Sequence, residues 1–176
     1  MQKYVALLRG INVGGNKKVP MAELKKVLEK GGLKNVKTIL ASGNVVFESG
    51  LKISELSSVI SSVIEKAFGF PVPVLLRTHR EIKDLISLNP FNGIKVTPKT
   101  RLYVTFLSGK PKDVIPSRYT SPDKSFRIIS SPDKAVFSVL DLTVSNTPEA
   151  MNALEKMYGK NITTRNWNTI LKIADL

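Results

Sequence analysis

From Leu7 to Leu24 the chain reads LLRGINVGGNKKVPMAEL. An apolar strand gives way to a connection that sets Arg9, Asn12, Asn16, Lys17 and Lys18 among Gly10, Gly14 and Gly15. Guanidinium, ammonium and amide N–H groups in a loop without carboxylates suit an anion, phosphate above all. The familiar phosphate loops do not match. Asn16-Lys17-Lys18 stands where Gly-Lys-Ser/Thr is required, and the Gly-x-Gly-x-x-Gly fingerprint is missing. A plain βα turn would account for Gly14 and Gly15, but not for Arg9, Asn12 and Asn16.

Two further stretches carry donors. Ser42-Gly43-Asn44 reads most simply as a hairpin turn, with Asn44 able to reach a ligand at its end. Arg165-Asn166-Trp167-Asn168 combines an arginine with two amides where a helix begins. It is either a solvated helix start or a place to hold an anion or a base. Catalytic sets are harder to find. His79 is the only histidine and follows the cap residue Thr78, which suggests an exposed first turn; without a second histidine, histidine-rich zinc sites fail. No Gly-x-Ser-x-Gly elbow supports a serine nucleophile. Asp113, Asp123, Asp133 and Asp141 are scattered among turns, where carboxylates commonly bind their own backbone. There is no cysteine, so disulfides and thiolate metal sites are excluded. No cofactor and no metal are expected.

The elements that must position these residues follow from pattern. Lys3–Leu8 reads as a strand and Pro20 as the first position of a helix, with Met21, Leu24, Val27 and Leu28 on its apolar face and Gly31-Gly32 at its end. Val36–Leu40 and Val45–Glu48 flank the hairpin turn. Ser54 is the expected cap of a second helix, whose stripe is Leu56, Val59, Ile60, Val63, Ile64 and Ala67. A strand at Val72–Arg77 completes a β-α-β-β-α-β order. Thr78-His79-Arg80-Glu81 forms a capping box for a connecting helix that stops at Asn89-Pro90.

The second half echoes the first. Tyr4–Gly10 aligns with Tyr103–Gly109, and Val45-Val46-Phe47 with Ala135-Val136-Phe137 after the turn Ser131-Pro132-Asp133. Thr147-Pro148-Glu149 starts another helix with Met151, Leu154, Met157 and Tyr158 on its stripe, closed by Gly159. Thr163–Thr169 opens a C-terminal helix anchored by Trp167. The fold class expected is α+β, two tandem ferredoxin-like (βαββαβ-type) subdomains plus a C-terminal helix. The boundaries are 1–78 for the first subdomain, 79–100 for the connecting helix and linker, and 101–176 for the second subdomain with the helix. In such a sheet, order 4-1-3-2, the end of strand one neighbours the start of strand three. Arg9, Asn12, Asn16, Lys17 and Asn44 then share one edge, beside a helix N-terminus that favours anions. Tyr4 and Phe47 invite comparison with RNA-recognition platforms, but both faces of the strands are apolar and read as buried.

LLRGINVGGNKKVPMAEL, SGNVVF at Ser42–Phe47, NPF at Asn89–Phe91 and TTRNWNT at Thr163–Thr169 together resemble the signature of the bacterial domain-of-unknown-function family 1697. The resemblance spans nearly the whole chain and implies two ferredoxin-like halves. It implies no activity, ligand or catalytic residue.

Bulk composition bounds the partner. The 176 residues carry 27 Lys and Arg against 14 Asp and Glu, a net charge of +13. A field of that sign favours nucleic acid, nucleotides or anionic lipid, or serves only solubility. No apolar run approaches the roughly 20 residues a bilayer needs, and no export signal is read at the N-terminus, so a cytoplasmic protein with no membrane partner is expected. The function expected is binding of an anionic partner, nucleic acid or a nucleotide-like small molecule. The candidate residues are Arg9, Asn12, Asn16, Lys17, Lys18, Asn44, Arg165, Asn166 and Asn168. The alternative is an enzyme acting on a small phosphorylated or amide-rich substrate in the same cleft.

Overall fold

The computed structural model describes residues 1–15, 17–109, 118–132 and 134–176; Asn16, Asp113 and Asp133 lie outside them. The described residues form a mixed α+β fold with two antiparallel sheets and five helices. The chain divides into two compact units, Met1–Leu85 with Leu171–Leu176, and Ile86–Ile170.

The first unit runs β1 (Gln2–Leu8), α1 (Met21–Lys30), β2 (Lys34–Ile39), β3 (Asn44–Ser49), α2 (Ile53–Phe68) and β4 (Val74–Thr78), then into α3 (His79–Ser87). Its sheet has the order β2-β3-β1-β4, every pair antiparallel. Alternation along the strands sends Tyr4, Ala6, Leu8, Val45 and Phe47 into one core with Leu24 and Leu28 of α1 and Leu56, Ile60 and Ile64 of α2. Each of these helix side chains, fully buried, contributes on the order of 2 kcal/mol. Val5, Leu7 and Val46, on the opposite face, are buried too.

Local rules explain most element ends, and two expected caps move. Pro20 sits one residue before the helix, with extended ψ of 127°, and its carbonyl accepts from Leu24 N–H. The second helix begins before Ser54: Lys52 is its N-cap, and its N–H donates to the Glu55 carboxylate. At the end of α1, Gly32 takes φ of +95°; its N–H donates to Glu29 O and that of Leu33 to Leu28 O, a Schellman closure. The Thr78–Glu81 capping box is present in both directions, Glu81 N–H to Thr78 Oγ1 and Thr78 N–H to the Glu81 carboxylate.

The second unit contains β5 (Thr100–Leu107), β6 (Tyr119–Thr120), β7 (Phe126–Ser130), β8 (Ala135–Asp141), α4 (Thr147–Tyr158) and β9 (Ile162–Asn166), which leads into α5 (Trp167–Ala174). The sheet order is β6-β7-β8-β5-β9, again antiparallel. Tyr103, Leu107, Phe126, Ile128, Val136 and Leu140 pack under Ala150 and Leu154 of α4. β6, β7 and β9 go beyond the strands expected from pattern. Thr163–Asn166, expected as a helix start, is instead strand paired with β5, and the helix begins only at Trp167. Two β-branched threonines favour that strand, which periodicity alone did not resolve.

Pairing also adjusts the alignment of the halves. Ala6 faces Val45, and Thr105, matched to Ala6, faces Val136. The residue equivalent to Val45 by register is therefore Val136 rather than Ala135. A one-residue slip exchanges the faces of a strand, so register is the stricter guide.

Candidate functional site

The end of β1, the loop that follows it and the β2–β3 hairpin meet at one edge of the first sheet. Leu7 pairs with Asn44, and Leu8 N–H donates to Gly43 O at 2.8 Å. Asn12 closes the loop on itself and on the hairpin. Its side-chain carbonyl accepts from Val19 N–H at 2.8 Å, while its amide donates to Val19 O at 3.0 Å and Ala41 O at 2.8 Å. Asn12 N–H also donates to Lys17 O. Asn12 has φ of +56°, a conformation asparagine tolerates better than most residues. Ile11 and Val19 are buried beneath, while Gly14, Gly15, Lys17 and Lys18 are exposed.

Gly43 explains the SGN motif. It has φ of +77°, and a Cβ there would lie 2.8 Å from both Leu8 Cβ and Ile11 Cδ1. Only glycine lets the hairpin approach the loop this closely. Asn44 is fully buried at the start of an inner strand, and its amide donates to Ile39 O and Ser42 Oγ. Of the candidates described in this unit, Asn12 and Asn44 build the edge, while Lys17 and Lys18 are exposed and Arg9 is half-buried. Lys17 Nζ donates to Pro71 O at 3.3 Å and lies 5.8 Å from the Phe70 ring centroid. Phe70 and Pro71, in the connection before β4, were not anticipated from sequence. Nothing in that connection marks it except its spatial return to the loop.

Arg165, Asn166 and Asn168 lie in the second unit. Arg165 sits on β9 opposite Val104, and its Nη1 donates to Thr163 Oγ1 at 3.0 Å and Thr164 O at 2.9 Å. Burial lowers its guanidinium to about 10, still charged at neutral pH. The Asn166 carboxamide oxygen accepts from Asn168 N–H at 2.9 Å and so caps α5. Trp167 packs edge-to-face on Phe91 and Phe137, with centroids 5.2 and 6.0 Å away. The NPF and RNWN motifs thus meet in one aromatic cluster.

An arginine that the motifs did not single out occupies the corresponding place in the first unit. Arg77, on β4 opposite Val5, is buried, and its Nη1 donates to the carbonyl of the preceding residue, Leu76, as Arg165 does to Thr164. The signal was available in the sequence: Leu-Leu-Arg-Thr-His and Thr-Thr-Arg-Asn-Trp each end a strand and start a helix.

The remaining titratable candidates serve the backbone. His79 is buried, not exposed as expected: its Nε2–H donates to Ile173 O at 3.2 Å. Burial lowers its pKa, and Lys3 and Lys83 lower it further. Asp123 and Asp141 accept from the Ser121 and Thr143 hydroxyls, which lowers both pKa values and assigns them to turns. Among the described residues no group of three or more His, Asp or Glu side chains could hold a metal ion. No helix among them is long and apolar enough to cross a membrane.

The model of a family described as protein of unknown function (DUF1697) matches residues 1–137. This chain belongs to DUF1697. The matched span carries three of the four motifs, and TTRNWNT lies beyond it. No curated protein matches this DUF1697 chain. Among solved structures it is similar to the conserved bacterial protein SP0830 from Streptococcus pneumoniae, at 23% identity and a TM-score of 0.73. That match covers 99% of this chain and 97% of the other, and it bears on the fold alone.

Proposed function

We propose that this DUF1697 protein binds the phosphates of a nucleic acid at the edge formed by the Arg9–Lys18 loop, on a scaffold of two tandem ferredoxin-like units. The observation that carries the reading is the pinning of the loop by Asn12, which bonds Val19 and Ala41 while Lys17 and Lys18 are exposed. Cations on a loop tied down at its ends lose less conformational freedom on binding than cations on a free one. The absence of any Asp or Glu from 9–19 favours holding an anion over acid–base chemistry. A scaffold of tandem ferredoxin-like units is supported by the shared order β2-β3-β1-β4 and β7-β8-β5-β9, and by the paired placement of Arg77 and Arg165.

Fluorescence anisotropy with short single-stranded RNA, duplex RNA and duplex DNA across a salt series tests the binding. Affinity should fall linearly with log salt, and Lys17→Ala/Lys18→Ala should flatten the slope by about 2. Arg9→Ala should weaken binding more than loss of a lysine remote from the loop. Folded protein that binds none of the three at low salt would overturn the proposal.

A further inference from the structure

A second surface of the first unit carries charge that the loop edge does not use. β2 ends the sheet, so one rank of its N–H and C=O groups faces away from β3. Beside it runs a groove of about 590 Å³. The regular stretch Lys37-Thr38-Ile39 of β2 and the following Leu40 form one side, and Lys25 of α1 and Lys172 of α5 supply lysines from two helices. Leu40 is 52% exposed, a large apolar side chain left open at the mouth. This groove has three lysines and no Asp or Glu in its lining, which Leu176 completes with a main-chain oxygen already bonded to Lys3 Nζ. Only in the adjoining cavity, of about 460 Å³, do Glu29 and Glu48 join Lys3, Lys25 and Lys37. Positive charge therefore concentrates at the Lys37–Lys172 end.

A bulge between Lys34 and Lys37, and lysines on the strand, would by themselves only guard an edge against aggregation. Lysines contributed by two separate helices to a groove with Ile39 and Leu40 in its lining do more than guard. We infer that β2 is a strand-addition site for an extended acidic segment of a partner protein. The segment's backbone would continue the sheet, and its carboxylates would meet the lysines that line the groove, Lys25, Lys37 and Lys172. The lysine placement selects acidic partners. The open strand edge selects extended ones. The Lys25–Glu29 pair, at 3.8 Å and half-exposed, is weak enough to exchange for a partner carboxylate.

The test titrates the full chain with a capped Glu-Val-Glu-Val-Glu-Val-Glu peptide, a Lys-for-Glu counterpart and a single-stranded RNA oligomer of equal charge. Anisotropy gives affinity, and amide hydrogen exchange gives location. The acidic peptide should bind saturably and slow exchange at Lys37, Thr38 and Ile39, while the basic peptide should not bind. Lys37→Glu/Lys172→Glu, both exposed positions, should weaken binding about tenfold or more. Lys66→Glu, on α2 and outside the groove lining, should not. Absence of peptide binding, binding without β2 protection, equal protection by RNA, or self-association that occludes the edge would each overturn the inference.

Discussion

At the ends of β4 and β9 the chain passes from strand to helix with no intervening loop, an arginine two residues before each helix start. The same junction is finished in two ways. In the first unit the helix opens on His79, which hydrogen-bonds Ile173 O, and Thr78 and Glu81 cap each other. In the second it opens on Trp167, which completes an aromatic cluster with Phe91 and Phe137, and Asn166 supplies a single capping bond. The cores differ at matched positions as well. Tyr4 faces Phe47 as a stacked pair, whereas Tyr103 faces Ser138, whose buried hydroxyl has no hydrogen-bond partner among the described residues. One backbone plan tolerates either solution, because register and burial constrain a position by volume and satisfied polarity rather than by identity.

The matched core pair gives the largest expected contrast. Phe47→Ala should cost about 3–5 kcal/mol, a buried aromatic lost from a closed core. Ser138→Ala should be neutral or stabilising by about 1 kcal/mol, since it removes an unsatisfied hydroxyl. Urea titrations followed by circular dichroism measure both, with Trp167, the only tryptophan, as a local reporter of the second unit. A large loss at Ser138 would show that its hydroxyl has a structural role and that the two positions are less different than their packing suggests.

The two caps come next. Thr78→Ala should cost about 1–2 kcal/mol and Asn166→Ala about 1 kcal/mol, because the threonine side takes part in a reciprocal pair. Reversal of that order in thermal midpoints would make the single asparagine bond the stronger cap. The smallest effect concerns protons. The folded His79 pKa lies below its unfolded value, so between the two the unfolded chain binds more protons. Stability of the first unit should therefore be full above the ordinary histidine pKa and decline as pH falls from there towards the folded pKa. His79→Phe should abolish that dependence, and the second unit, opened by Trp167, should never show it. Hydrogen exchange resolved by unit, measured at several pH values, is the check.

Much of the first unit was legible because its signals are local. The glycine after α1, the capping box at Thr78 and the stripe Leu56-Ile60-Ile64 each act within one or two turns, and the structure keeps them. The candidate edge was half legible. The juxtaposition of the Arg9–Lys18 loop with the hairpin followed from strand order, but the sequence could not separate Asn12 and Asn44, which hold the edge together, from Lys17 and Lys18, which face solvent. In the second unit the pattern does not reveal β7 and makes Thr163–Asn166 a helix start, since short runs such as FRIIS and ITTRN carry no decisive period.

By itself the sequence determined the basic charge, the order of most elements, the family resemblance and the residue types available for anion binding. Those are properties of composition and of neighbours a few positions apart. Only the tertiary structure decided that His79 is buried, that Arg77 and Arg165 occupy matching strand positions, that NPF and RNWN form one aromatic cluster, and that β2 borders a groove with lysines from two helices. Each depends on residues tens of positions apart meeting through sheet order and register, and a one-residue change of register would reverse the face that every side chain on the strand presents.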